Sequence, residues 1–387
     1  MESSLYIHIP FCRKKCDYCD FFSVPCRSVG DDYINAVRAE IMDSASRFGI
    51  TSWGTVYVGG GTPSLLSPMQ LSRLFEGIRA AAPLSSGCEV TVEMNPEGVR
   101  GDFVAACSES GVNRISLGIQ SLDNGALRSV HRGCMGETAI GALSLLESCW
   151  GGSLSVDFIA GLPSQGTDEF GRQFGILRDF KKINHVSLYT LTVEDETPLG
   201  RLVSSGAVDF SQDDADSLWM LGRDVLESEG FFQYEVSNFA RRGCESRHNS
   251  VYWHSGAYVG CGAGASGTWY FPGRGERWTN RADIDSYVRY WLGGGGEVPR
   301  DMEILDMRTM QFEFLMMGFR LREGVSAAEF SRRFPSGLSS YQSSDGRLFG
   351  DVFAGWKERA LAGERDGRLF LTRDGILLLN RFLEELL

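Results

Sequence analysis

The stretch LYIHIPFCRKKCDYCDFF, residues 5–22, joins an apolar run to a short loop that holds three cysteines. Residues 5–9 form a largely apolar segment of the kind that becomes a buried strand. Cys12, Cys16 and Cys19 follow with a C-x₃-C-x₂-C spacing. A fully coordinated metal site usually has four ligands. The loop therefore predicts a metal or cluster site whose fourth position is filled from elsewhere.

Similar apolar runs recur through the first 240 residues, with helical patterns between them. The later runs are TVYV at 55–58, EVTVEM at 89–94, RISLGI at 114–119, SLSVDFIA at 153–160, HVSLYTLT at 185–192 and YEVSNF at 234–239. The helical patterns cover 31–48, 67–82 and 212–230. Strands that alternate with helices indicate βαβ units and a parallel sheet. We predict an α/β fold with a partial (β/α) barrel of about six units. An open doubly wound sheet fits the same alternation.

The chain changes character near residue 270. The segments FPGRGERW at 271–278 and WLGGGGEV at 291–298 are rich in glycine and lack a clear period. From residue 302 a helical stretch resumes, and residues 367–387 read as a strand, a turn and a helix. Helices followed by a strand are typical of a winged-helix-like module. The predicted units are a core over 1–240, a connecting region over 241–300 and a small C-terminal helical, winged-helix-like domain over 301–387.

The composition argues against several classes of protein. The chain has 387 residues, 43% of them hydrophobic, with a formal net charge of −12 and a pI of about 5.0. So acidic a surface argues against broad contact with nucleic acid or anionic membrane, since both require basic patches. No apolar run approaches the roughly 20 residues of a membrane span, and the start lacks a signal-peptide pattern. We expect a cytoplasmic protein whose ten cysteines are thiols, while peripheral contact with a membrane stays open.

Polar residues stand where the predicted strands end. They are Gly59 to Pro63 after the second run, Glu93 in the third, Gln120 after the fourth and Asp157 in the fifth. The C-terminal strand ends form the active site of a barrel, so these residues meet if the barrel interpretation holds. Each motif also has a plainer interpretation. A glycine-rich turn often follows a strand, a lone carboxylate can cap a helix, and the cysteines could belong to a zinc site with a distant fourth ligand.

An iron–sulfur cluster accounts for three thiols in one tight loop. A [4Fe–4S] cluster takes four thiolate ligands, so three cysteines leave one iron free. A free iron beside a barrel mouth suits S-adenosylmethionine (SAM), whose amino and carboxylate groups can chelate it. One electron from the reduced cluster can then split SAM into methionine and a 5′-deoxyadenosyl radical, chemistry that belongs to the cofactor.

The motifs around these residues resemble a known family. The cysteine loop followed by GGGTP is similar to the radical SAM superfamily. The fuller resemblance is to the oxygen-independent coproporphyrinogen III oxidase-like family. It is carried by YIHIPFCRKKCDYCDFFS, YVGGGTPSLL, TVEMNPE, GVNRISLGIQS, SVDFIAGLPSQ, HVSLYTLTVEDETPLG, YEVSNFA, RHNSVYW and YVGCGAGASG. MGFRLREGV and LTRDGILLLN extend the resemblance to the C-terminus.

The resemblance implies a set of site residues. Cys12, Cys16 and Cys19 match the ligands of the [4Fe–4S] cluster. The residues that match SAM-binding positions are Tyr6, Gly60, Gly61, Thr62, Glu93, Gln120, Arg132 and Asp157. The glycines allow the backbone to approach the methionine moiety closely. Glu93 can pair with the amino group of SAM and Arg132 with its carboxylate.

Two branches of that family differ near the cysteine loop. The true coproporphyrinogen dehydrogenases have a further cysteine two residues after the third, where this chain has Phe21. They also have an extension before the cluster strand, whereas only five residues precede Tyr6 here. The haem chaperone (HemW-type) branch has the short start and an H-N-x-x-Y-W motif, which is His248 to Trp253 here. A neutral imidazole is a natural axial ligand of haem iron, although such a histidine can also be structural.

The resemblance therefore implies a radical SAM haem chaperone that binds a [4Fe–4S] cluster, SAM and haem. His248 is the first candidate for the haem ligand. The protein would pass haem to haem-requiring proteins, which the sequence does not identify. It would keep the parts for SAM cleavage but lack coproporphyrinogen dehydrogenase activity. Two alternatives stay open: an oxygen-independent coproporphyrinogen III dehydrogenase of porphyrin biosynthesis, and a barrel whose iron–sulfur cluster is purely structural.

Overall fold

The computed structural model describes residues 1–387 and contains seventeen strands and fifteen α-helices. The strands are β1 (Glu2–Ile9), β2 (Phe11–Cys12), β3 (Val24–Pro25), β4 (Ser52–Gly60), β5 (Leu84–Met94), β6 (Arg114–Gln120), β7 (Ser153–Ala160), β8 (Ile183–Thr190), β9 (Phe232–Gln233), β10 (Asn238–Ala240), β11 (Tyr258–Cys261), β12 (Ser266–Phe271), β13 (Arg274–Asn280), β14 (Arg300–Leu305), β15 (Val325–Ser326), β16 (Ala362–Arg365) and β17 (Arg368–Leu371). The helices are α1 (Asp31–Arg47), α2 (Pro68–Ala81), α3 (Gly101–Glu109), α4 (Asn124–Ser129), α5 (Gly136–Cys149), α6 (Thr167–Gln173), α7 (Ile176–Asp179), α8 (Pro198–Ser204), α9 (Gln212–Ser228), α10 (Arg247–Trp253), α11 (Ile284–Arg289), α12 (Met307–Gly318), α13 (Ala327–Arg333), α14 (Phe349–Glu358) and α15 (Leu379–Glu384). None of these helices has both the length and the apolar character that crossing a bilayer requires.

Twelve strands form one sheet, in the order β14-β13-β12-β11-β1-β4-β5-β6-β7-β8-β10-β9. From β1 to β8 neighbouring strands are parallel, and every connection between them carries at least one helix. This order follows the chain without the reversal that a doubly wound sheet requires. The edge strands β14 and β9 do not pair with each other, so the barrel is open. The predicted α/β partial barrel of about six units is confirmed.

Three predictions of local structure are wrong. Residues 234–239 do not form one strand, because a turn there separates the short strands β9 and β10, which pair antiparallel. The glycine-rich segment 271–278 is part of a hairpin in which Gly273, with a φ of 78°, lies between β12 and β13. Residues 302–305 belong to strand β14 rather than to a helix. Antiparallel strands with one solvent-facing side lack the continuous apolar run that marks the parallel strands in the sequence.

Two hydrophobic cores divide the molecule. The larger core extends along the chain from Leu5 to Tyr287 and fills the space between the main sheet and its helices. The smaller core extends from Leu305 to Leu386 and lies among α12 to α15 and a three-stranded sheet of order β15-β17-β16. This second unit falls within residues 301–387, and its winged-helix-like character stays a prediction. Strands β11 to β13, from the predicted connecting region, belong to the main sheet.

A buried carboxylate fastens α1 to the added strands of the sheet. Glu40 has no exposed surface and accepts hydrogen bonds from the Gly262 amide, the Tyr287 hydroxyl and the Asn280 amide. Arg300 donates to the same carboxylate at 2.8 Å. A buried charge is tolerated when it is paired and fully hydrogen-bonded, as it is here. The contact holds β11, the neighbour of β1, in register beside the barrel.

Candidate functional site

The C-terminal ends of the parallel strands surround a cavity of about 340 Å³, called the upper cavity here. The residues from the sequence prediction that line it are Cys12, Cys16, Cys19, Gly60, Gly61, Thr62, Glu93, Gln120, Arg132 and Asp157. They come from the ends of five parallel strands and from the loop after α4. Residues far apart in sequence meet here because parallel strands all end at the same rim.

The cysteine loop closes one side of the upper cavity. Cys12 and Cys16 are buried and Cys19 is half-buried. Burial raises the pKa of the Cys19 thiol, so deprotonation there requires a compensating positive charge such as a metal ion. No three acidic, histidine or cysteine side chains converge tightly enough to hold a single metal ion. The three cysteines line one cavity, and three thiolates can hold a [4Fe–4S] cluster that leaves one iron free.

The glycine run at the end of β4 packs against His8 and Phe11, just before the first cysteine. A Cβ atom at Gly61 would lie 2.6 Å from the carbonyl oxygen of Phe11, and one at Gly60 would lie 2.8 Å from the ring of His8. Gly60 also has a φ of 115°, a conformation that residues with side chains rarely adopt. These glycines are therefore required by close packing, and they leave backbone exposed to the cavity.

Glu93 is the main carboxylate on the cavity wall. It accepts hydrogen bonds from the Tyr57 hydroxyl at 2.7 Å and from the Gly60 amide at 3.0 Å. Burial raises its pKa to about 7, against these hydrogen bonds, and the nearby charge of Asp157 adds to the shift. A carboxylate in this state gains from a cationic or hydrogen-bond-donating partner in the cavity.

Arg132 is the main cation on the cavity wall. Its guanidinium donates to Asn95 Oδ1 at 3.0 Å, to the Tyr18 hydroxyl at 3.3 Å and to the Gly118 carbonyl. It also lies 3.5 Å from the sulfur of Cys16. Its buried Nε atom has no hydrogen-bond partner. Arg132 can therefore bind an anion and place positive charge beside a cluster ligand at the same time.

Gln120 is the last residue of β6, and Asp157 lies on the neighbouring strand β7. The Ser116 hydroxyl lies 3.2 Å from both Asp157 oxygens, and burial raises the pKa of Asp157 to about 6 despite hydrogen bonds from Ser187 and Ser116. Gln120 has a φ of 69° at a register shift between β6 and β7. Such strain in a residue with a side chain is common at functional sites.

Two predicted residues do not line the upper cavity. Tyr6 lies inside the barrel, where its hydroxyl bonds to His8 Nδ1 at 2.9 Å, and His8 Nε2 bonds to the Phe22 carbonyl at 2.9 Å. Tyr6 thus supports the cysteine loop through His8. His248 lies on α10 near the opposite ends of the strands, beside Thr55 of β4.

Tyr18 was missed by the sequence analysis, although it lines the upper cavity. Its hydroxyl accepts a hydrogen bond from Arg132, and burial raises its pKa. Its place between Cys16 and Cys19 was the one available signal. Asn95 and Tyr189 stand at strand ends and also line this cavity, but they were not included in the predicted SAM set.

A partial barrel with a three-cysteine loop and a glycine run at its C-terminal rim defines the radical SAM class of proteins. The family model "Radical SAM superfamily" matches residues 6–172, and the model "HemN C-terminal domain" matches residues 305–342. The solved coproporphyrinogen III oxidase (HemN) from Escherichia coli superposes with a TM-score of 0.79 at 20% identity, covering 98% of this chain and 89% of that one. That likeness shows a shared fold.

Curated relatives place the chain within this class. It is 36% identical to "Heme chaperone HemW" of Escherichia coli, over 84% of this chain and 85% of the relative. It is 31% identical to "Heme chaperone HemW" of Bacillus subtilis, over 97% of both chains. The chain therefore belongs to the HemW-type family of radical SAM haem chaperones.

Proposed function

We propose that this protein binds haem and delivers it to haem-requiring proteins, with a [4Fe–4S] cluster and SAM at the upper cavity. The observation that carries this proposal is the likeness along most of the chain to two proteins named heme chaperone. The acceptor proteins are defined only by their need for haem. The cytoplasmic location expected from the lack of a signal-peptide pattern and of a long apolar run stays a prediction.

The residues of the upper cavity fit the two cofactors. Three thiols face one end of the cavity, while the Glu93 carboxylate and the Arg132 guanidinium line its wall. In this proposal Cys12, Cys16 and Cys19 hold the cluster, Glu93 accepts from the amino group of SAM, and Arg132 pairs with its carboxylate. When bound, the cluster supplies one electron for cleavage of SAM. Gln120, Asp157 and the glycines position the rest of the SAM molecule.

Phe21 supports the chaperone rather than the dehydrogenase activity. Its side chain is 66% exposed at the mouth of the upper cavity. Lys15 Nζ donates to its carbonyl at 3.0 Å, which fixes the loop there. The position where the dehydrogenase branch has a further thiol therefore presents an apolar ring. We expect no decarboxylation of coproporphyrinogen III.

His248 has the protonation state of a haem ligand but is hidden. Burial lowers its pKa to about 3, so the imidazole is neutral at physiological pH, as iron ligation requires. Only 1% of the residue is exposed. Its Nδ1 lies 2.7 Å from the Thr55 hydroxyl and its Nε2 lies 2.7 Å from the Tyr252 hydroxyl. Ligation of haem by His248 therefore requires one of these two hydrogen bonds to open.

The test is haem titration of His248→Ala and His248→Gln, monitored at the Soret band. We expect both variants to shift the band and to bind haem more weakly, since neither provides an imidazole. Glutamine can still bond to Thr55 and Tyr252, so it separates ligation from folding. His185→Ala is the matched control, because His185 is also buried and also holds a lowered pKa. Wild-type spectra and affinity in both His248 variants would remove this assignment.

A further inference from the structure

A second cavity of about 870 Å³ lies at the N-terminal ends of the parallel strands, opposite the upper cavity. The residues that matter for the argument are Ser3, Thr55, Arg114, Asn184, Cys244 and Arg247. We call this space the lower cavity. Its volume lies in the range of pockets that bind small molecules and cofactors. None of the residues predicted to bind SAM lines the lower cavity.

Arg114 is a buried charge in the wall of the lower cavity without an acidic partner. Only 4% of the residue is exposed. Its guanidinium donates to the Ser153 hydroxyl at 3.2 Å and to the Cys244 carbonyl at 3.1 Å, both of them uncharged acceptors. A buried cation that lacks a counter-ion is costly, so an anion that enters this cavity gains strongly from pairing with it.

None of the acidic side chains that line the lower cavity makes a hydrogen bond or an ion pair with Arg114. Glu89 points its carboxylate at the start of α10, where it accepts from the backbone amides of Arg247 and His248 at 3.1 Å and 2.8 Å rather than from Arg114. Glu2 and Glu245 are exposed to solvent at the rim, where their charges are screened.

Further donors line the same cavity as Arg114. Asn184 accepts from Ser153 with its carbonyl oxygen at 2.7 Å and makes no hydrogen bond with its amide nitrogen. The Ser3 hydroxyl is buried and has no hydrogen-bond partner. Arg247 is exposed, also lines the cavity and donates to the Gly87 carbonyl. This set of donors with one buried guanidinium matches the hydrogen-bonding needs of a carboxylate.

We infer that the lower cavity binds a carboxylate on Arg114, and that this carboxylate is a propionate group of haem. The inference rests on the proposed function for the identity of the ligand. Thr55 lines the lower cavity and its hydroxyl bonds to His248 Nδ1, so one hydroxyl separates that nitrogen from the cavity. The buried Trp269 adds an aromatic surface to the wall. Haem held by its propionate at Arg114 therefore lies beside α10.

The test compares haem with its dimethyl ester, which has no free carboxylates. Wild-type protein should bind haem about tenfold more tightly or better, as expected for a charge-assisted contact. Arg114→Gln should bind the two alike, whereas Arg114→Lys should keep part of the preference. Arg172→Gln, at an exposed arginine of α6, is the control and should behave as wild type. Cluster content and melting temperature report folding in each variant.

The remaining outcomes separate the two claims. If the wild-type protein binds haem and its dimethyl ester equally well, the propionate site is overturned but the chaperone function is not. The same holds if Arg114→Gln keeps the wild-type preference for haem. If wild-type protein binds neither porphyrin, the proposed function fails. Calorimetric titration with succinate then tests the carboxylate site at Arg114 by itself. Succinate binding that disappears in Arg114→Gln supports a free dicarboxylate as the source. The absence of succinate binding to the wild type overturns the anion site.

Discussion

The ionisable side chains at the two ends of the barrel are in different states. At the upper end Glu93 and Asp157 line the cavity, and both carboxyl groups have raised pKa values. Arg132 has a buried Nε atom without a hydrogen-bond partner. At the lower end His248 has both ring nitrogens engaged and a pKa lowered to about 3. The upper end is arranged to receive ligand atoms, whereas the lower histidine already has protein partners.

This difference shows that a matched motif does not by itself reveal an accessible site. The cysteine loop lines the upper cavity, and the neighbouring Arg132 has an Nε atom that makes no hydrogen bond. Helix α10, which carries the HNxxYW motif, instead buries His248 against the barrel. The charged residues Glu245 and Arg247 beside it line the larger, lower cavity. We infer that the two ends act independently: the upper end through the cluster and SAM, the lower end through haem.

Loss of the cluster is the largest effect that would separate the two ends. We expect Cys12→Ala, Cys16→Ala or Cys19→Ala to abolish the roughly stoichiometric cluster, because each removes one iron ligand. Iron and sulfide analysis of anaerobically reconstituted protein measures this. Haem affinity should be unchanged in the same samples.

The control for that experiment is Cys26→Ala. Cys26 lies beside the cysteine loop, and its amide donates to the Cys12 carbonyl at 2.8 Å, but it is outside the predicted ligand set. Its cluster content should match that of the wild type. Unchanged iron and sulfide in all three ligand variants would contradict the assignment.

Loss of SAM affinity comes next in size. Glu93→Ala and Arg132→Ala should each weaken SAM binding about 30- to 100-fold, because removing one member of a charge-assisted contact costs about 2–3 kcal/mol. Equilibrium binding to reconstituted protein measures the loss, and the cluster should remain. Asp20→Asn changes an exposed carboxylate at the cavity mouth and should alter the affinity little. Wild-type affinity for SAM in both Glu93→Ala and Arg132→Ala would show that these two residues do not bind SAM.

The pH dependence of SAM binding should follow Glu93. Because its pKa in the ligand-free protein is about 7, binding to the ionised carboxylate must release a proton below that pH. Affinity should therefore be nearly constant above pH 7 and fall as the pH decreases, approaching about tenfold per unit. Binding measured from pH 5 to pH 7 tests this, and Glu93→Gln should flatten the profile. A wild-type profile that is already flat would assign the contact to another group.

The smallest expected effect tests whether SAM binding and haem binding are independent at Tyr57, the residue that contacts both ends. Tyr57 donates to Glu93 at 2.7 Å, and its ring stacks on His248 with centroids 5.1 Å apart. Tyr57→Phe removes the hydroxyl and keeps the ring. We expect SAM affinity to fall about two- to tenfold, the value of one hydrogen bond, while the haem spectrum stays unchanged. A shifted Soret band in Tyr57→Phe would show that the two ends are coupled.

The sequence was sufficient to predict the barrel and most of the upper cavity for a physical reason. Parallel strands are long apolar runs, and their C-terminal ends meet at one rim, so polar residues such as Glu93 and Asp157 could be placed together before any coordinates existed. The cysteine spacing then indicated a metal or cluster site, and the family resemblance implied its cofactors.

The lower end could not be predicted in the same way. Arg114 is one arginine among many, and its significance depends on burial without an ion pair, which only the folded chain shows. The burial of His248 depends on Thr55 and Tyr252, and Thr55 is nearly 200 residues distant in the chain. The antiparallel strands β12 to β14 were missed because their exposed sides interrupt the apolar pattern.

The most direct test of the central claim is haem titration of anaerobically reconstituted protein, with a parallel assay for decarboxylation of coproporphyrinogen III in the presence of SAM and a strong reductant. A haem chaperone with Phe21 in place of the further cysteine should bind haem at about one per chain and leave the porphyrinogen unchanged. Substantial conversion of coproporphyrinogen to protoporphyrinogen, or no specific haem binding, would contradict the account.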